Sequence, residues 1–171
     1  MEDASQMELE TQRLVEDLAG EACMSLFEAY GVQLEPAADR TPGGEHSLSG
    51  IIGFTGMGIT GMCLVAASEE PLEATNPTDG ALRDWVAELS NQLAGRLKHK
   101  LLARGVEVYI TTPIVLRATR IEPLPRRKLA PRGFTALNGT IALWVEVETA
   151  SDFRMGTTED TAVAEGEALL F

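Results

Sequence analysis

The chain has 171 residues, with 26 acidic against 14 basic side chains and a formal net charge of −12 at pH 7. This charge argues against a nucleic-acid surface, which needs clustered Lys and Arg, and no apolar run approaches the roughly 18 residues of a membrane span. Because the acidic start at Met1–Glu10 also differs from an export signal, we expect one cytoplasmic domain at 1–150 and an acidic tail at 151–171.

The N-terminal segment has the pattern of an amphipathic helix. Apolar residues recur at helical spacing over Glu8–Tyr30, and Gly31 follows as a stop. Val32–Leu34 is then predicted to begin a strand, before a loop over Pro36–Glu45.

Two short apolar runs separated by glycines predict a β-hairpin. Ile51–Phe54 forms the first run, Cys63–Ala66 forms the second, and the turn is placed near Gly56–Gly58. The same stretch contains Gly56-x-Gly58-x-x-Gly61, which copies the spacing of a dinucleotide-binding fingerprint. That fingerprint needs a helix leaving the glycines, whereas the residues after Gly61 are predicted to form a strand. We therefore expect no cofactor at these glycines.

Ser68–Gly80 is a polar connector with two prolines, and it is predicted to be too short for a full helix. Within it, Glu73 and Asn76 spell Glu-x2-Asn, which we interpret as part of a solvated loop. Thr78 and Asp79 offer a cap for the helix that follows.

A long helix is predicted to start at Leu82 and run to Arg104, with Gly105 placed to end it. On a helix turning about 100° per residue, four side chains fall within roughly 60° of one another: Asp84, Glu88, Asn91 and Gly95. The apolar residues centre on the opposite side: Leu82, Trp85, Val86, Leu89, Leu93, Leu97 and Leu101. Glu88 and Asn91 are therefore expected to point away from the core, where a partner can reach them.

The C-terminal half is predicted to be β-structure. Val106–Thr111 alternates apolar and polar residues, and Pro113 interrupts the ladder, which indicates an edge or a bulge. Gly133–Leu137, an Asn138-Gly139 turn and Thr140–Thr149 are predicted to form a hairpin. The order of elements gives an α+β domain, with helices packed on a largely antiparallel sheet.

A basic cluster lies between these strands, in a proline-rich loop: Arg126, Arg127, Lys128 and Arg132. We interpret it as an exposed loop, with electrostatic help in docking an acidic partner as the alternative. Cys23 and Cys63 lie in separate apolar segments and are interpreted as buried, reduced thiols. Neither histidine falls within a metal-type cluster, so we expect no metal or cofactor of the protein's own.

Asp84, Glu88, Asn91 and Pro113 together spell Asp-x3-Glu-x2-Asn-x21-Pro. This spacing resembles the signature of the chemotaxis phosphatases CheC, CheX and FliY, which hydrolyse the aspartyl phosphate of the response regulator CheY. The chain has one complete motif, so it is more similar to CheX than to the two-motif CheC. The predicted order of elements over roughly residues 10–149 resembles the same family.

Each residue of this face, together with Pro113, has an expected role, and the role of Glu88 is the one that the resemblance implies. Asn91 would orient the attacking water, and Glu88 would bridge to the active-site lysine of the regulator's receiver domain. Asp84 would either order the helix start or contact the partner's rim, and Gly95 would allow close approach either of the partner or within the domain. Pro113 would shape the neighbouring strand. Mg²⁺ is expected in the partner receiver domain, and the likeness to CheX implies a homodimer paired through the sheet.

Two departures from the family pattern keep other functions open. Family members usually have a further helix between the first hairpin and the motif helix, and many have a glycine shortly after the motif proline, where this chain has Arg117 and Ala118. These differences favour a non-catalytic module that binds a signalling or flagellar partner. A third hypothesis is a structural element that pairs through exposed strand edges.

Overall fold

The computed structural model describes residues 2–37, 47–118 and 130–156, with the side chains of the first helix described from Gln6 onward. Three helices, α1 (Glu2–Ala29), α2 (Glu69–Thr75) and α3 (Leu82–Leu102), pack on one sheet. Its strands are β1 (Glu35–Pro36), β2 (Leu48–Gly56), β3 (Ile59–Ala67), β4 (Val108–Ile110), β5 (Ile114–Arg117), β6 (Arg132–Ala136) and β7 (Gly139–Thr149). The predicted α+β class, with helices on an antiparallel sheet, is confirmed.

In the described part of the chain, the sheet has seven strands in the order β1-β6-β7-β3-β2-β4, and β5 also pairs with β2. Every pairing is antiparallel. The two predicted hairpins, β2–β3 and β6–β7, are joined side by side through β3 and β7. Pro113 lies in the break between β4 and β5, which form the edge beside β2, so the predicted interruption at the edge is confirmed.

One apolar core connects α1, α3 and the sheet. The most deeply buried side chains come from both helices and from the sheet, and they include Phe27, Leu93 and Ile141. Cys23 and Cys63 are free and buried within this core, as predicted. Burial raises the pKa of both thiols to about 12, and for Cys23 the neighbouring Cys63 adds to the rise. Thiols held in this way are protonated and unreactive at neutral pH.

The glycines that imitate a dinucleotide fingerprint belong to the β2–β3 hairpin. Gly58 takes a φ of +72° in the turn, and β3 begins directly after it at Ile59. Gly61 lies where an added Cβ would come within 2.6 Å of both the Phe54 ring and the Glu146 carbonyl oxygen. Close strand and ring packing therefore explains Gly61, and the prediction of a strand after these glycines is confirmed.

The connector before α3 differs from the prediction, because it contains the seven-residue helix α2. Pro71 sits in the first turn of α2, where a helix tolerates proline because the first N–H groups have no intrahelical partner. Glu73 therefore lies in a helix, so the prediction of a loop was wrong at this residue, whereas Asn76 follows the helix as its C-cap in extended backbone. The predicted cap at Thr78-Asp79 was also wrong, since Ala81 occupies the N-cap of α3 without a side-chain hydrogen bond.

Other boundaries shift by a few residues. Val32 and Leu34 are buried but precede the strand, which forms only at Glu35–Pro36 and pairs with β6. The β6–β7 turn consists of Leu137 and Asn138, with Leu137 at a φ of +56°, so Gly139 already belongs to the strand. Helix α1 starts earlier than predicted, while Gly31 ends it with a φ of +79°.

The edge of β7 is completed by a side chain of α1. Gln12 is buried, its Nε2 donates to the Val145 carbonyl oxygen at 2.7 Å, and its Oε1 accepts from the Val147 N–H at 2.8 Å. Strand β6 pairs with β7 only as far as Leu143, so among the described residues this part of β7 has no strand beside it on that side. The Gln12 amide supplies the donor and the acceptor that a further strand would have supplied.

The described chain continues past residue 150 in contact with the domain. Phe153 and Met155 pack against the core, and the Gly156 N–H donates to the Arg104 carbonyl oxygen at 3.0 Å. The rest of the predicted tail, from residue 157, lies outside the described residues, as do Arg126, Arg127 and Lys128 of the basic cluster. Arg132 of that cluster instead begins β6 and forms an ion pair with Asp17 on α1. Among the described residues, no helix is long and apolar enough to span a membrane.

Candidate functional site

Helix α3 is held close to β2 by a glycine opposite a serine. The Ser90 hydroxyl lies against Gly50, so that a Cβ on Gly50 would collide with the Ser90 Oγ. Ser90 is fully buried and satisfies its hydroxyl by donating to the Val86 carbonyl oxygen at 2.8 Å. This contact fixes the depth of α3 on the sheet at the residue that precedes Asn91.

The four residues Asp84, Glu88, Asn91 and Gly95, called the outer face below, lie on the side of α3 away from the sheet. The three polar members are exposed and Gly95 is half-buried. The predicted apolar residues of α3 are buried, except Leu82, which is half-buried against the core. The structure therefore brings Glu88, Asn91, Asp84 and Gly95 together on one accessible surface, as the helical spacing predicted.

Asn91 and Glu88 differ in how they are held. No hydrogen bond joins the Asn91 carboxamide to another of the described residues, so both its donor and its acceptor face outward. Glu88 accepts a hydrogen bond at Oε1 from Gln92 Nε2 at 2.8 Å. Asp84 is 77% exposed at its side chain and lies 3.5 Å from the Arg83 guanidinium, an exposed pair that contributes little to stability.

A residue that the sequence analysis did not single out, Gln92, connects this face to the rest of the domain. The Tyr30 hydroxyl, just after α1, donates to Gln92 Oε1 at 3.0 Å. The Tyr30 ring packs edge-on against Trp85, with ring centroids 4.9 Å apart. No sequence pattern indicates this contact, because Tyr30 and Gln92 are 62 residues apart.

Gly95 has open space around it. An added Cβ would meet no atom of the described residues within 4 Å, so packing among these residues does not require glycine there. Glycine in a helix interior costs roughly 1 kcal/mol relative to alanine. Of the two interpretations of Gly95, the one in which an external partner approaches closely is thereby favoured.

The strands beside α3 expose apolar side chains. Ile114 is 59% exposed and Tyr109 is 66% exposed, and the Lys98 ammonium of α3 lies 5.6 Å from the centre of the Tyr109 ring. Pro113 is half-buried between β4 and β5, and the preceding Thr111 joins Gly53 through two 2.9 Å hydrogen bonds. Pro113 thus contributes to strand geometry, and its side chain offers no donor, acceptor or acid–base group.

The second Glu-x2-Asn pair has a different environment. The Asn76 amide is used within its own turn, donating to the Gly80 carbonyl oxygen at 3.1 Å and accepting from the Thr78 N–H at 3.2 Å. Its hydrogen-bonding groups are therefore engaged, whereas those of Asn91 face outward. Of the two Glu-x2-Asn pairs, the one on α3 is thus the one that combines an exposed carboxylate with a carboxamide that makes no hydrogen bond to the described residues.

The outer face can hold a water molecule but has no hydroxyl or thiol nucleophile. A carboxamide both donates and accepts hydrogen bonds without carrying charge, so it can orient a water beside an anionic group. Glu88, one turn earlier, can accept hydrogen bonds from a cation of a partner. In the described residues, no group of three or more His, Cys, Asp or Glu is arranged to hold a metal ion.

Comparison with known proteins gives matches among solved structures alone. No protein-family model and no curated protein matches the chain. A CheC-like superfamily protein from Shewanella sp. PV-4 is 19% identical with a TM-score of 0.66, covering 78% of this chain and 97% of that chain. CheX from Vibrio vulnificus is 17% identical with a TM-score of 0.65, covering 76% and 96%.

A third match comes from a complex of CheX with CheY, BeF3 and Mg²⁺ from Borrelia burgdorferi. It is 16% identical with a TM-score of 0.59 and covers 77% of this chain and 96% of that chain. At these identities the matches show the fold. The resemblance to CheX, inferred from the motif, is therefore confirmed for the fold, and the chain has the CheC/CheX-like fold.

Proposed function

We propose that this chain, which has the CheC/CheX-like fold, is a phosphatase that hydrolyses the aspartyl phosphate of a response-regulator receiver domain. The observation that carries the proposal is the Asn91 carboxamide, which is exposed and faces outward three residues after Glu88. A solved relative with this fold forms a complex with CheY, BeF3 and Mg²⁺, which supports a receiver domain as the partner.

Asn91 acts by placing a water molecule in line with the phosphorus. The loose transition state of phosphoryl transfer needs a positioned water and neutralised phosphoryl oxygens. The receiver supplies the phosphoaspartate, a lysine and Mg²⁺, so the phosphatase needs no metal of its own. A hundredfold acceleration requires about 2.7 kcal/mol, which positioning alone can provide.

Glu88 docks the helix by bridging to the receiver's active-site lysine. Its carboxylate is exposed on the same side of α3 as Asn91, so both reach one cleft of a partner. Asp84 contacts the partner's rim, and Gly95 lets the partner's backbone approach α3 closely. Pro113 shapes the strand beside the helix without taking part in the chemistry.

Two copies of the chain pair through the β4–β5 edge. This edge ends the strand order and carries four exposed apolar side chains: Tyr109, Ile110, Ile114 and Leu116. Exposed strands with apolar side chains favour pairing with another strand. The edge is formed by strands and the outer face by α3, so this pairing is compatible with the phosphatase proposal as long as it leaves Glu88 and Asn91 exposed to a receiver.

The test is dephosphorylation of a panel of Mg²⁺-loaded phospho-receiver domains from the host. Native protein should accelerate phosphate loss from at least one receiver, and Asn91→Ala should abolish the acceleration. Glu88→Ala should mainly raise KM, because it weakens docking. The chain offers matched controls in its second Glu-x2-Asn pair, since Glu73→Ala and Asn76→Ala should leave the activity unchanged.

The second candidate is a non-catalytic module that binds a receiver or another signalling or flagellar partner. Arg117 and Ala118 support it, because both follow the motif proline where many family members have glycine. The other reason for this candidate is weaker now, since α2 occupies the connector that was expected to lack a helix. Binding to a receiver that survives Asn91→Ala, without acceleration by native protein, would favour this module.

A further inference from the structure

A line of hydrogen bonds connects the Glu88 carboxylate to the end of α1. Gln92 Nε2 donates to Glu88 Oε1 at 2.8 Å, and the Tyr30 hydroxyl donates to Gln92 Oε1 at 3.0 Å. Both the oxygen and the NH₂ group of the Gln92 amide are thus hydrogen-bonded. Because the oxygen accepts from Tyr30, the NH₂ group faces Glu88, and an ionised carboxylate can only accept hydrogen bonds.

Tyr30 is itself fixed by buried groups. Its ring meets Trp85 edge-on with an interplanar angle of 83°. Trp85 is buried and its Nε1 donates to the Thr75 Oγ1 at 3.0 Å, while the Thr75 hydroxyl donates to the Pro71 carbonyl oxygen at 2.9 Å. Glu88 is therefore connected through Gln92 to Tyr30, just after α1, and through the Tyr30–Trp85 contact to buried residues of α2 and α3.

This connection matters because an exposed glutamate on a helix normally samples many rotamers. Ordering such a side chain at an interface lowers affinity, and a side chain that is already held avoids that cost. Gln92 lies at the flank of the outer face, half-buried, where it holds Glu88 without covering it. The contact leaves Glu88 Oε2 unoccupied by Gln92 and available to a cation.

We propose that Gln92 and Tyr30 are positioning residues that hold the Glu88 carboxylate in the orientation in which it meets the receiver's lysine. The proposal deepens the proposed function and rests on it for the identity of the partner. A purely structural alternative is that Gln92 and Glu88 form an ordinary i, i+4 pair that only supports the helix. The chain contains such a pair on α1, where Gln6 Nε2 donates to Glu10 Oε1 at 3.3 Å, and it serves as the control.

The first experiment uses the protein without a partner. Nitrogen-15 relaxation of the Gln92 side-chain amide should give an order parameter above about 0.6 in the native protein and below it in Tyr30→Phe and Glu88→Ala. Tyr30→Phe removes one hydroxyl and keeps the ring against Trp85, so the fold is retained. An order parameter that neither substitution lowers would overturn the proposal.

The second experiment measures docking on the receiver that the panel identifies. Gln92→Met and Tyr30→Phe should each raise KM about 3- to 10-fold with kcat unchanged, since only the ordering of Glu88 is lost. In a Glu88→Ala background, Gln92→Met should have no further effect on KM, because the carboxylate that it positions is absent. Gln6→Met should leave KM unchanged in either background.

The outcomes separate this proposal from the proposed function. An equal effect of Gln92→Met with and without Glu88 would overturn the positioning role and leave the phosphatase intact. Ordered Gln92 in the free protein, without acceleration or binding of any receiver in a complete panel, would refute the proposed function and its docking purpose. The hydrogen-bonded support of Glu88 by Gln92 and Tyr30 would then stand as a property of the free protein.

Discussion

The substitution Gly95→Ala should stabilise this protein and weaken its binding to a receiver domain. Gly95 lies in the interior of α3, and a Cβ there would meet no atom within 4 Å. Alanine should raise the free energy of unfolding by about 1 kcal/mol, because glycine loses more backbone freedom on folding. For a chain of this size the melting temperature should rise by roughly 2–4 °C.

The same methyl group should obstruct a partner whose backbone approaches the helix at Gly95. Inserting a methyl group into a closely packed contact costs about 1–3 kcal/mol, so the Kd for a phospho-receiver should rise about 5- to 150-fold. Stability is measured by thermal and denaturant unfolding, and affinity by titration with a receiver carrying a beryllofluoride group in place of phosphate. The two measurements should therefore move in opposite directions.

Gly105→Ala provides the matched control. Gly105 also has no atom of the described residues within 4 Å of an added Cβ, but its φ of +74° disfavours any side chain, so this variant should lose about 1 kcal/mol of stability. It should leave receiver affinity unchanged. If Gly95→Ala destabilises the protein, the claim that glycine is not needed for packing at this position is wrong. If Gly95→Ala stabilises the protein and receiver affinity stays the same, the claim that a partner approaches α3 closely at Gly95 is wrong.

Three further predictions concern the core. Gly50→Ala should cost about 1–3 kcal/mol of stability and reduce phosphatase activity, because its methyl group would displace Ser90 and lift α3 from β2, as measured by unfolding and turnover. Gln12→Leu should cost about 2–6 kcal/mol in denaturant unfolding, since two buried backbone groups of β7 lose their partners. Cys23 and Cys63 should resist thiol reagents at pH 8 in the native protein and react once it unfolds. Burial raises both folded pKa values from 9.0 to about 12. The contribution of the two thiols to the free energy of unfolding should therefore decline as pH rises from about 9 towards 12. A Cys23→Ala/Cys63→Ala variant should lack this pH dependence. Fast labelling of native protein, or an unchanged slope in that variant, would contradict this last prediction.

Local sequence patterns predict the elements that depend on their own residues. The spacing of Trp85, Leu89 and Leu93 places the buried side of α3, and thereby places Glu88 and Asn91 on the exposed side. The glycine-rich hairpin is likewise visible in its two apolar runs. The resemblance to CheX followed from one motif and the order of elements, and the fold agrees with it.

The features that the sequence analysis missed depend on contacts between distant residues. Helix α2 is short and contains a proline, and both features argue locally against a helix. It is stabilised by a contact with α3, in which Thr75 accepts a hydrogen bond from Trp85. The strand at Glu35–Pro36 exists only through its pairing with β6. In the sequence, Gln92 is one more polar residue on a helix surface. Its hydrogen bond with Tyr30 cannot be predicted locally, because the folded chain brings the two residues together.

The Gln12 side chain also limits how far copies of this chain can associate. A β-sheet with two open edges can add strands at both ends and grow without limit, as in fibres. Here one side of the sheet is occupied by the Gln12 amide along β7 and by the short β1, which ends in Pro36 and so lacks an N–H there. Among the described strands, the opposite edge at β4 and β5 is then the one that can accept a further strand. The proposed pairing of two copies would use that edge on both of them, so it would end at the dimer.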